Sequence, residues 1–158
     1  MQISINIALQ QLTLLSDERV VRQYPISSGK KGTGEQRGSE QTPRGRHLVR
    51  AKIGANLPLN TVFKARRPTG EIYSAELAEH CPNRDWILTR ILWLSGCEVG
   101  KNRLGNCDTM RRYIYIHGTP DSEPMGIPAS HGCIRMRNAD LAELFTLTPL
   151  YAPVFISE

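Results

Sequence analysis

Two short runs of this sequence bring together side chains able to do covalent chemistry. His117-Gly118-Thr119 closes the alternating run Tyr113-Ile114-Tyr115-Ile116, and Ser130-His131-Gly132-Cys133-Ile134-Arg135-Met136 stands just before a helix-start signal at Asn138. Cysteine attacks carbonyl carbon as its thiolate, and both a histidine partner and a helix N-terminus lower a thiol pKa. A glycine beside the thiol allows unusual dihedrals and close backbone approach, so peptide N–H groups around Cys133 can point at a developing oxyanion. The residue types therefore specify a nucleophile, Cys133, and a general base, His117, for cysteine-based acyl transfer or peptide hydrolysis.

The remaining chemistry-bearing residues do not build a second site. Cys81, Cys97 and Cys107 lack a glycine turn and helix start beside them and read as free thiols or small buried groups. His47 and His80 read as ordinary polar residues, although His47 follows a long loop and is placed to line a cleft. A zinc site would want pairs such as C-x2-C or H-x3-H; only His131-x-Cys133 and the adjacent His80-Cys81 come near, so no metal is expected. The Gly29–Gly38 segment matches neither phosphate-cradling glycine pattern, and no cofactor is expected. Arg135 is expected at the cleft, binding a substrate carboxylate together with Ser130, with Arg111 and Arg112 as weaker candidates. The alternative for Arg135 is an ion pair that buttresses the turn.

Positioning these groups requires strands. Ile3, Ile5, Ile7 and Leu9 alternate with polar or small residues, and Leu12, Leu14 and Val20-Val21 continue a meander turned at Ser16-Asp17. Further strands are expected at His47–Ile53, Thr61–Ala65, Trp86–Leu94, Tyr113–His117 and Val154–Ile156. Helix is confined to Ser74–His80 and to a segment capped by Asn138, with Leu141, Leu144 and Phe145 on one face. Ser27–Arg46, rich in glycine, lysine and arginine, is long for a plain connection and reads as a substrate flap. The expected architecture is mostly β, a sandwich or partly closed barrel with one or two short helices, in one domain spanning 1–158.

With 40% hydrophobic and 22% charged residues the chain is not disordered, and its longest apolar stretch is far short of the roughly 20 residues of a membrane-spanning helix. A net charge of +5 suits anionic partners. The arginines form no long run and have no interleaved aromatics, so nucleic acid is not an expected partner. The N-terminal segment shows no basic region followed by an apolar stretch and a cleavage site, which gives a cytoplasmic expectation, or a periplasmic one if Met1 was added to a mature fragment.

His117-Gly118-Thr119 followed by Ser130-His131-Gly132-Cys133-Ile134-Arg135-Met136 and Asn138 resembles the L,D-transpeptidase catalytic domain of the YkuD type. Thr42-Pro43-Arg44-Gly45 is similar to the family's T-P-x-G element, and the run from Leu92-Trp93 through Arg111-Arg112 into the histidine extends the likeness over nearly the whole chain. The resemblance implies a largely β fold around a cleft, with Cys133 as nucleophile, His117 as base oriented by the Gly118 carbonyl, and an oxyanion hole from the N–H groups of His131, Gly132 and Cys133. It further implies a peptidoglycan stem tetrapeptide or muropeptide as substrate, cleaved before its terminal D-alanine with a thioester left on Cys133. Water as acceptor would make the enzyme an L,D-carboxypeptidase of murein recycling, the reading that the cytoplasmic expectation favours. An amine acceptor would make it a transpeptidase that cross-links stems or exchanges D-amino acids. A non-catalytic peptidoglycan-binding module would need neither His117 nor Cys133.

Overall fold

The structure is a computed structural model and describes residues 1–158. The expected meander forms from β1 (Gln2–Asn6), β2 (Gln11–Ser16) and β3 (Arg19–Pro25). Its second turn is Asp17-Glu18, both at positive φ, as a two-residue hairpin loop matched to strand twist requires. β4 (Gly45–Ile53), β5 (Thr61–Lys64), β7 (Ile87–Gly96), β8 (Tyr115–Gly118) and β10 (Pro153–Ser157) fall on or beside the alternating segments. β6 (Arg67–Ile72) and the three-residue β9 (Ile134–Met136) carry no such signal: β6 is an exposed edge strand containing Pro68 and Gly70, and β9 is buried and very short.

The main path of the sheet runs β3-β2-β1-β10-β4-β7-β5-β6, with β8 added to β7 and β9 to β8. It stays open rather than closing into a barrel. β10 inserts between β1, to which it is parallel, and β4, to which it is antiparallel. The main core is a cluster of 20 buried residues, in which Ile3, Ile5, Leu12 and Leu14 of the meander meet Ile116, Ile134 and Met136. α2 (Asn138–Leu147) contributes Leu141, Leu144 and Phe145 to it, the face expected from their spacing. α1 (Ala75–His80) starts from Ser74, whose hydroxyl accepts the Leu77 N–H at 3.1 Å.

Two expectations change here. The α2 cap is Arg137, not Asn138, which is the first helical residue and makes no capping bond. Residues 27–46 are not a free flap. Ser27 bridges Arg135, Gly29 bridges Ser130, and the Lys30 N–H donates to the Ser130 carbonyl at 2.9 Å, so the segment is the wall on which the cysteine turn rests.

His47 in β4 is 2% exposed; its Nδ1–H donates to the Gly45 carbonyl at 3.0 Å and its Nε2 accepts the Thr109 hydroxyl at 2.9 Å. Burial lowers its pKa to about 4. A histidine depressed in the folded state contributes stability above its unfolded pKa of about 6.5 and loses it as pH falls towards 4. Wild type should lose on the order of 2–3 kcal/mol between pH 7 and pH 4.5 through this group alone. His47→Gln should show a correspondingly shallower pH dependence in chemical denaturation; parallel curves for the two proteins would refute the assignment.

Candidate active site

Period-two alternation sorts β8 and β9 into two faces. Ile116 and, ahead of β8, Ile114 point into the core, while Cys133 packs with Tyr115 in a separate cluster that includes Phe63 and Ile91. On β9, Ile134 and Met136 take the core side, which leaves Cys133 and Arg135 on the other. Because β8 and β9 are parallel with Ile116 opposite Ile134, His117 lies opposite Arg135, and Cys133 falls one step earlier beside Tyr115. The expected base and nucleophile thus lie on one face of the sheet, on neighbouring strand positions away from the main core.

The imidazole is buried, and its Nδ1–H donates to the Gly118 carbonyl at 2.6 Å, which leaves Nε2 as the basic nitrogen. Burial lowers the His117 pKa against the opposing effect of that bond. Cys133 Sγ accepts the Tyr115 N–H at 3.3 Å and lies 3.3 Å from the Tyr113 carbonyl, to which it donates. Burial pushes the thiol up to about 11. Burial thus favours the neutral thiol and the neutral imidazole at rest, and Cys133 precedes a strand rather than a helix start. A pre-lowered thiol, the sequence-based expectation, is not what the geometry supports.

This pairing fixes a pH dependence. With His117 as the expected base, the active form would carry it unprotonated; its lowered pKa moves the acid limb below the ordinary histidine range, and the raised thiol pKa puts thiol ionisation to the alkaline side. The rate constant kcat/KM should be flat between about pH 7 and 9, while alkylation of Cys133 in the free protein still rises through pH 9 and trails that of the exposed Cys97. Rapid, pH-independent alkylation of Cys133 at neutral pH would show a preformed ion pair instead.

The cysteine turn is held by two hydroxyls. Ser130 donates to the Cys133 carbonyl at 2.5 Å and accepts the Gly132 N–H at 3.1 Å; Thr42 donates to the Gly132 carbonyl at 2.9 Å and accepts the Gly29 N–H at 2.8 Å. Gly132 has φ of 124°, a region closed to other L-residues, so glycine is obligatory there. Of the three N–H groups expected to form an oxyanion hole, Gly132's is thus committed to Ser130. Those of His131 and Cys133 donate to no group in the chain.

Three expected substrate ligands make their contacts within the chain. Ser130 is buried within the turn. Arg135 donates to Asp85 at 3.0 Å and to the Ala129 carbonyl at 3.3 Å, with Glu123 at 3.9 Å, and its side chain is 10% exposed. These contacts favour the ion-pair buttress over the substrate ligand, because a mostly buried guanidinium clamped by Asp85 and a backbone carbonyl has little freedom to meet a carboxylate. Arg112 is half-buried and donates to the Gly34 and Gln41 carbonyls and the Ser39 hydroxyl. Arg111 alone of the four is exposed, in a cavity of about 300 Å³ that it lines with Arg37, Glu40, Tyr113 and His131. A second cavity, about 500 Å³, is lined by Phe63, Lys64, Arg84, Asp85 and Ile87. His131 of the first touches Asp85 of the second at 3.5 Å, so the two adjoin at the cysteine turn.

Residues the sequence did not single out complete the surroundings. Arg66, at the β5–β6 turn, donates to the Tyr115 hydroxyl at 3.0 Å and stacks 4.7 Å over Trp93 and 4.9 Å over Tyr113. Asp85 clamps Arg135 and His131 together. An exposed acid in a polar turn has no pattern that would flag it. The Arg135→Lys variant should melt several degrees lower, since one ammonium cannot reproduce the forked contacts, with KM of the folded protein within twofold of wild type. A raised KM at unchanged melting would return Arg135 to substrate binding.

The family of the L,D-transpeptidase catalytic domain, YkuD type, matches residues 1–156. The YkuD protein of Bacillus subtilis (strain 168) is 28% identical over 147 residues, covering 93% of this chain and 60% of that protein. That of Bacillus licheniformis is 27% identical over 148 residues, with 94% and 60% covered. The chain therefore spans about three fifths of the length of these relatives. In fold it is similar to L,D-transpeptidase 3 from Mycobacterium tuberculosis (TM-score 0.60, 17% identity, 99% of this chain and 60% of that one). It is also similar to an Enterococcus faecium L,D-transpeptidase (0.59, 16%, 99% and 49%).

Proposed function

The chain belongs to the YkuD-type L,D-transpeptidase catalytic domain family, and from that premise we propose that it is a cysteine L,D-carboxypeptidase that removes the terminal D-alanine from peptidoglycan stem tetrapeptides. Cys133 attacks the carbonyl before D-alanine as His117 Nε2 takes the thiol proton; the His131 and Cys133 N–H groups face the oxyanion; the imidazolium then protonates the departing amine. Water, deprotonated by the same imidazole, releases the tripeptide from the thioester.

One observation carries the choice of water over an amine. In both cavities beside the cysteine turn, the charges left without an ion-pair partner are cationic: Arg37, Arg111 and the carbonyl-bound Arg112 in one, Lys64 in the other. Glu40 is paired with Lys31, and Asp85 with Arg135 and His131. Arg37 and Arg111 suit a terminal carboxylate, whereas an acceptor ammonium would meet net repulsion. Without a subsite to raise the effective molarity of an amine, water at about 55 M is the acceptor. Soluble fragments of murein recycling in the cytoplasm are the substrate pool we propose, and fractionation of cells with an antibody to the chain tests that part.

The decisive assay is purified protein with free or disaccharide-linked tetrapeptide, products resolved by mass, with and without D-methionine. Tripeptide and D-alanine should dominate. Dimeric products, or exchange outrunning hydrolysis at millimolar D-methionine, would make the chain a transpeptidase. Arg111→Ala should raise KM about tenfold with kcat within threefold, and should leave a substrate amidated at its terminal carboxylate unaffected; equal losses on both substrates would remove the carboxylate role.

A further inference from the structure

The nitrogen that His117 offers to the thiol is set by the bond its other nitrogen makes, so whatever fixes the Gly118 carbonyl fixes the base. Gly118 is clamped from two sides: a Cβ on it would collide with Asn138 Oδ1 and with the Leu88 carbonyl, so neither neighbour leaves the peptide room to move. Asn138 Nδ2 donates to the next carbonyl, that of Thr119, at 2.9 Å. It also meets Asn60 Oδ1 at 3.1 Å and Asp121 Oδ1 at 3.4 Å. Its Oδ1 accepts the Thr89 hydroxyl at 2.5 Å, and the same hydroxyl oxygen accepts the Asn60 N–H at 3.0 Å.

Thr89 itself is out of place for a strand. It is fully buried near the start of β7 at φ of 75°, a conformation that β-branched residues rarely adopt, and the β7–β8 register shifts between Leu88 and Ile91. The bulge turns the hydroxyl onto Asn138 while Leu88 stays paired with Gly118. An asparagine in the first turn of a helix commonly caps it, yet Asn138 gives its side chain wholly to this network. Strain held at a buried position next to a base is maintained by its surroundings for a reason.

We propose that Thr89 and Asn138 are positioning residues that hold His117 as its Nδ1–H tautomer, with Nε2 presented to the cleft, by immobilising the Gly118 and Thr119 peptides. The inference rests on His117 being the base in the reaction proposed above.

The test uses 15N-labelled protein and observes the His117 ring nitrogens by NMR, which needs no substrate, alongside turnover of the tetrapeptide. Wild type should show one Nδ1–H tautomer with a slowly exchanging proton. Thr89→Val keeps the shape and removes the hydroxyl; Asn138→Asp keeps the acceptor for Thr89 and removes the donor to Thr119. Each should mix the tautomers and lower kcat at least tenfold with KM within twofold, and Thr89→Ser should restore both readouts to within threefold of wild type. If Thr89→Val does not fold, Asn138→Asp decides. A folded variant that keeps the single Nδ1–H tautomer overturns the proposal, as does failure of Thr89→Ser to restore it. A wild-type chain inactive on tetrapeptide would instead overturn the reaction assignment and leave the ring spectrum to decide this one.

Discussion

Cys133→Ala is expected to abolish tetrapeptide turnover, with a loss of at least a thousandfold and a melting temperature within a few degrees of wild type. The substitution removes the proposed nucleophile and deletes a single heavy atom from a position that is only partly buried. His117→Ala should lose nearly as much, and the double variant no more than either single one, because nucleophile and base act as a unit. Intact-mass spectrometry of wild type quenched during turnover should show an added tripeptidyl group, absent from both variants. A Cys133→Ala protein that keeps a tenth of the activity would end the covalent mechanism.

Gly118→Ala is the second large effect, and it acts on stability and rate together. The new methyl would run into Asn138 Oδ1 and the Leu88 carbonyl, of which the second is backbone in a central strand and the first is fixed by Thr89. Overpacking of this kind costs about 1–3 kcal/mol, or roughly 3–10 °C in melting for a chain of this size. Relief requires the Gly118 peptide to shift, and with it the 2.6 Å bond to His117. Activity per folded molecule should fall at least a hundredfold, a loss that thermal destabilisation alone does not produce at 25 °C. Normal kinetics in the folded fraction would show that the orientation of His117 does not depend on this peptide.

Residues whose role is written in local spacing were readable from the sequence. The alternation of Ile3, Ile5 and Ile7, the Leu141, Leu144 and Phe145 stripe, the histidine ending an apolar alternation and the cysteine beside a glycine turn gave most of the strands and the pair at the site. What could not be read depends on long-range partners. Arg135 looks the same in sequence whether it meets a ligand or Asp85, and Asp85 lies 50 positions away. Thr89 interrupts an apolar strand like any half-exposed threonine would, and only the fold reveals it to be buried, bulged and bonded across 49 positions to Asn138. The Ser27–Arg46 segment has the composition of a flap because its hydrogen bonds are made by backbone and by small hydroxyls, which leave no mark in hydropathy.

The placement of β10 governs how the molecule comes into being. Residues 153–157 fill the slot between β1 and β4, so the meander and the strands that carry the cysteine and histidine cannot join into one sheet until they arrive. At about 5–20 residues per second, the ribosome takes roughly 8–30 s to progress from β1 to β10. Throughout that interval β1 and β4 each present an unpaired inner edge to other nascent chains. Contacts of such long sequence separation also slow the final collapse relative to helical proteins of equal size. Shortening the chain by its last six residues should accordingly yield aggregated protein rather than a smaller enzyme, and the thiol chemistry should switch on only once translation has passed Ser157.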